Sequence, residues 1–208
     1  MDDTESDRLF IKHAFQLIAA HGWPQFGLMA AATASGLPPA QIRARFPNRS
    51  TLLLRFGRLA DQAALAETET DGSVRDRLFA LIMRRIDALQ AHRDGVIALL
   101  RALPTDPPTA LLLNCASTQS MRWLLDAAGV SVGTSVIDHI RVKGLLAVWL
   151  YTVNAWRRDE SADLATTMAA LDTALSRAER AATWLPNPPT TQPPPPNPTL
   201  PPALDPPG

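Results

Sequence analysis

The chain has 208 residues, 46% of them hydrophobic, and its 20 Lys and Arg are balanced by 20 Asp and Glu. That length suits one ordinary domain, or one with a small second module, and leaves enough apolar matter for a real core. A formal charge of zero excludes a globally basic nucleic-acid coat protein and allows only a local basic patch.

The apolar residues are mostly Ala and Leu, which favour helices, and the expectation is an all-α protein of about nine helices. Residues 1–7 are acidic, unlike a signal or transit peptide, and are expected to be a disordered leader. Leu9, Phe10, Ala14, Phe15, Leu17 and Ile18 recur at spacings near three and four, which predicts an amphipathic helix over 8–21 ending at Gly22. Residues 28–35 are nearly all Ala, Leu and Met and predict a buried helix. Gly36 can close it with positive φ, and Pro38-Pro39 start a short helix that Pro47 stops. Asn48 then caps a helix running to about residue 67. Two short helices across a Gly turn, the second basic, read as a helix-turn-helix. From residue 36 to 60 the ionisable residues are Arg43, Arg45, Arg49, Arg55 and Arg58, with no acid among them. Such a run suits phosphate binding, and Gln41, Arg43, Arg45 and Arg49 are the candidate contacts to double-stranded DNA.

Residues 68–72 form a polar break, and Ser73 with Asp76 predicts a capping box opening a helix to about residue 92. An apolar segment over 95–103 stops at Pro104, and Asp106-Pro107-Pro108 start a helix to residue 128. Between these helices an apolar effector pocket is expected, lined by Met83, Cys115, Met121 and Trp123, with Asn114 or Gln119 as its polar anchor. Cys115 has no partner for an internal disulfide and reads as a small buried hydrophobe. No Cys/His cluster has zinc-like spacing.

Residues 134–157 predict a helix that is apolar around most of its circumference in the second half, and Ser161 is placed to cap a last helix to residue 182. These two helices suit a homodimer built as a four-helix bundle, through Trp149, Leu150, Val153, Trp156, Met168, Leu171 and Leu175. Coverage of both faces within one chain is the alternative. The longest apolar run, 144–155, is too short to span a membrane, so stable membrane insertion is not expected and the protein is expected in the cytoplasm. Residues 186–208 are Pro-rich and read as a disordered, polyproline-like tail. His13, His21, His92 and His139 are scattered, and no nucleophile motif or phosphate loop is present, so neither catalysis nor a cofactor or metal is expected.

In its order of elements and in three motifs the chain resembles the TetR family of bacterial transcriptional regulators. The motifs are Ala19-Ala20-His21-Gly22-Trp23, Ala34-Ser35-Gly36-Leu37, and the stretch from Ile42 through Phe46-Pro47-Asn48 to Leu53. The resemblance implies a dimer whose amino-terminal helix-turn-helix unit, residues 8–50, reads a palindromic operator. It also implies that the larger helical domain, 51–185, binds a small effector. A second similarity, carried by Gly22-Trp23 and by residues 146–172, is to lipid-binding accessory proteins of ubiquinone biosynthesis, which share the fold without acting on DNA.

Overall fold

The computed structural model describes residues 3–67 and 71–183. The expectations for the Pro-rich tail and for most of the 68–72 break lie outside the described residues. Within them are nine α-helices and no strand, the all-α fold that the composition implies.

Helix α1 (Asp3–His21) begins five residues earlier than the periodicity suggests. The expected disordered leader is corrected here: Asp3 and Glu5 suit the positive end of a helix, and Ser6 and Asp7 are buried. Helix α2 (Leu28–Ser35) ends at Gly36, which takes φ 68° and returns its N–H to Thr33 O. Only a residue without Cβ adopts that conformation cheaply. Helix α3 (Pro39–Arg45) follows at once, and α4 (Arg49–Leu65) starts with Asn48 Oδ1 accepting from Thr51 N–H at 2.9 Å.

Helix α5 (Val74–Gln90) opens with the reciprocal Ser73/Asp76 capping box, and α6 (Arg93–Ala102) runs into a single 3-10 turn, Leu103–Thr105. Helix α7 (Pro107–Ala127) is capped by Asp106, and α8 (Val136–Trp156) by a second box, Ser135/Asp138. The last helix, α9 (Ala165–Ala182), begins four residues after the expected cap at Ser161. Asp159 explains the shift. Its Oδ2 accepts from Thr167 N–H at 2.7 Å, in the first turn of α9, while its Oδ1 holds Ser161 back in the loop.

Helix α1 packs on α2 and α6, α4 packs on α5 and α7, and α8 packs on α9, around one continuous apolar cluster. The approach of α6 to α1 is close. A Cβ at Gly95 would stand 2.3 Å from Phe15 O, so only glycine fits.

Five of the seven residues expected at a dimer interface are buried within their own chain: Trp149, Val153, Trp156, Leu171 and Leu175. Trp149 lies under the Arg85 guanidinium, 4.4 Å from its ring centroid, and Trp156 Nε1 donates to Gln90 Oε1 at 2.7 Å. Met168 is half-buried, and Leu150 is exposed. The exposed apolar and small residues of α8 are Val136, Ile140, Gly144, Ala147, Leu150 and Tyr151, interleaved with exposed His139, Lys143 and Asn154, so the circumference divides into a core face and an exposed face.

Candidate functional site

The helix-turn-helix is held from below. Leu37, Ile42 and Phe46 are buried, with the Phe46 ring 4.5 Å from that of Phe10, and this pins α3 across α1. Its outward surface is then Pro39, Ala40, Arg43, Ala44 and Pro47, flanked on α2 by Met29, Ala30, Thr33 and Ala34. Gln41 is half-buried at the edge of this surface.

The structure separates the four candidate DNA contacts. Arg43 is exposed, with one Nη1 donating to Pro47 O. Arg45 turns inward instead: its Nε donates to Asp7 Oδ1 at 2.7 Å, it pairs with Asp3, and its side chain is 16% exposed. Its hydrogen bond to Asp7, and to a smaller extent charge pairing with Asp7 and Asp3, raise its pKa further. Arg45 is therefore corrected from a free contact to a brace between α3 and α1. Arg55 meets the other Asp7 oxygen and lies over the Phe46 ring. Arg49 lies over Trp23 and Phe26, 5.6 and 5.8 Å from their centroids, and its Nη1 donates to Trp23 O and Pro24 O. Arg58 is exposed on α4.

Trp23 is tied in turn to the larger part of the chain, for its Nε1 donates to Asp106 Oδ2 at 2.9 Å. Neither Asp7 nor Asp106 stands out in the sequence as a partner. Asp106 is legible only as the start of a helix before Pro107, and Asp7 only as one of several acids near the amino terminus, and neither signal names what the residue binds.

The expected effector pocket is redistributed. Met121 is fully buried in the core, Cys115 and Trp123 are exposed, and Met83 is half-buried. Cys115 is thus no buried hydrophobe, and of the expected residues Asn114 lines a cavity. That cavity, of about 190 Å³, lies among α4, α5, α6, α7 and α8, with Phe56, Arg85, Leu99, Asn114 and Trp149 on its walls. A larger and more open groove of about 410 Å³ runs between α5, α7, α8 and α9, past Leu78, Ile140, Leu145 and Leu175. Among the described residues no cluster of three or more His, Cys, Asp or Glu could hold a metal ion, and no single helix is long and apolar enough to cross a membrane.

No family model and no curated protein matches the sequence. Among solved structures the chain is similar to the TetR transcriptional regulator from Nitrosomonas europaea, at 23% identity and a TM-score of 0.67, covering 86% of this chain and 98% of that one. It is also similar to a TetR-family regulator from Streptomyces coelicolor, at 17% identity and a TM-score of 0.62, covering 88% and 85% of the two chains. A third, the TetR regulator from Rhodococcus sp. RHA1, aligns at 14% identity and a TM-score of 0.57, covering 85% and 97%. The chain has the fold of the TetR transcriptional regulators over its described length.

Proposed function

We propose that this chain is a TetR-type DNA-binding transcriptional regulator, not an enzyme, acting as a homodimer under the control of a small apolar effector. The observation that carries the reading is the α2–Gly36–α3 unit, whose second helix is pinned by Ile42 and Phe46 so that Arg43 faces outward. Arg43 and Gln41 are its operator contacts, with Arg49 close to the backbone path and Arg45 in a supporting role. The amino-terminal unit extends from residue 3 to about 50. The outward α8 stripe with Ala169 and Thr173 of α9 is the dimer surface, and the small residues allow close helix approach.

The test is a genomic-fragment selection followed by gel shift at near-physiological salt. A palindromic site should be enriched by the wild type. Arg43→Ala should weaken binding to all sequences and flatten the salt slope by about one unit if it contacts phosphate. If it reads guanine, it should cost about 1–3 kcal/mol and relax specificity.

One observation favours the second reading, a lipid-binding accessory protein: the outward face of α2 and α3 is largely Pro, Ala and Met. No enriched site, with isoprenoid or phospholipid co-purifying, would replace the regulator by that reading.

A further inference from the structure

Arg85 projects from α5 into the wall of the 190 Å³ cavity, and its side chain is only 6% exposed. Asp61 Oδ1 stands 3.3 Å from Arg85 Nε, close enough to balance its charge. Ser120 bridges the two, donating to Asp61 Oδ2 at 2.6 Å and accepting from Arg85 Nη2 at 3.3 Å. Trp149 covers one face of the guanidinium. Arg85 Nε faces Asp61 Oδ1 in the ion pair, whereas Arg85 Nη1 has no hydrogen-bond partner among the described residues. Buried donors are almost always paired, so Nη1, free on a residue that lines the cavity, points to an acceptor that enters the cavity.

Charge and size narrow that acceptor. Asp61 already neutralises Arg85, and a carboxylate ligand would bring a second negative charge against apolar walls of Leu53, Phe56, Leu99 and Val153. A neutral carbonyl oxygen takes the free Nη1 donor and adds no charge. An apolar cavity of about 150 Å³ holds benzene, so this one has room for a single substituted ring.

We propose that the cavity binds a neutral, single-ring carbonyl compound whose oxygen accepts from Arg85. The inference rests on the effector-controlled reading for its consequence, and it names the chemistry of that effector.

The test uses the full chain without DNA and three probes of similar size: acetophenone, α-methylstyrene, in which CH₂ replaces the oxygen, and benzoate. Ligand-detected NMR and calorimetry should show acetophenone binding about tenfold or more tighter than α-methylstyrene, with benzoate weakest near neutral pH. In Asp61→Leu/Arg85→Met, which removes both charges, the affinities for acetophenone and α-methylstyrene should converge. If that variant fails to fold, the wild-type comparison decides alone. Equal wild-type affinities for the first two probes, tighter binding of benzoate, or no binding of any probe would overturn the proposal. Operator selection is measured separately without ligand. A protein that selects a DNA site but shows no carbonyl preference loses this inference and keeps the regulator reading, and the opposite pair of results does the reverse.

Discussion

The Trp23 indole N–H donates to the Asp106 carboxylate at 2.9 Å, across 83 positions of sequence. The same carboxylate caps α7 by accepting from Thr109 N–H and Oγ1, and the same indole lies under Arg49 at the start of α4. One contact thus joins the loop before α2 to a helix that walls the 190 Å³ cavity. Trp23→Phe should lower the melting temperature by removing the bond alone, and Asp106→Ala should lower it further by removing the α7 cap as well. In a double-mutant cycle the two losses should be less than additive, and additivity would show that the bond contributes nothing.

Removing residues 1–7 should destabilise the protein rather than trim an idle leader. Asp7 is buried and holds both Arg45 and Arg55, so Asp7→Ala should cost about 1–3 kcal/mol in a urea melt. Arg45→Ala should show a comparable loss. A stability unchanged by either substitution would return Arg45 to the list of free operator contacts.

Gly95→Ala should be among the most damaging single-carbon additions to the chain. The new methyl would overlap Phe15 O, a backbone atom that cannot rotate away, at a cost of at least about 1–3 kcal/mol. Gly57→Ala on α4 meets nothing within 4 Å and should move the urea midpoint the other way, by up to about 1 kcal/mol of helix propensity.

The two faces of α8 should separate assembly from folding. Ala147→Glu, on the exposed stripe, should shift sedimentation from dimer to monomer with the melt nearly unchanged. Trp149→Ala, beneath Arg85, should cost about 3–5 kcal/mol of stability whatever the protein concentration. A wild type that sediments as a monomer at micromolar concentration would remove the dimer from the proposal.

Acid should weaken the fold in two stages. Burial, with a smaller contribution from Lys12, lowers the pKa of His92 below 6.5, where it stacks on Phe15. The unfolded chain then takes up a proton that the folded chain refuses, so stability falls as the pH drops below about 6.5. Hydrogen bonds from Ser73, Thr109 and Ser135 lower the pKa values of Asp76, Asp106 and Asp138 respectively. For Asp159 burial acts to raise the value, but Ser161 and Thr167 together carry it well below the usual range. Stability from these four is complete above the unfolded carboxylate pKa, near 4, and is lost below it. Asp61 runs the opposite way, because burial raises its pKa despite Arg85, and protonation there favours the folded state. Urea melts from pH 8 to 3 should show both declines, and His92→Gln should abolish the first.

The sequence announces what depends on neighbours a few residues away. Gly36, Pro39, Asn48 and the Ser73/Asp76 pair end or begin helices by local chemistry, and each helix boundary they predict is close to the one found. It does not announce where long side chains go. Arg45 finds Asp7 38 positions back, and Arg55 finds the same residue 48 back, so a run that reads as a uniform basic patch is divided by tertiary partners. Helix α8 is apolar on two sides, and periodicity alone cannot say which is core; Trp149 and Trp156, expected at a dimer interface, lie inward. Cys115 fails for a related reason, since a lone small residue carries no phase information about its helix.

The close seat of Gly95 on the Phe15 carbonyl also limits how the molecule can move. The same face of α6 carries side chains one turn further on, at Ala98 and Leu99, so sliding α6 along α1 by about a turn would drive a Cβ into that carbonyl, whereas tilting about the contact leaves the seat intact. The contact is a pivot with no travel. Any displacement of α6 that keeps this seat would reach α1 as a change of angle and not as a slide.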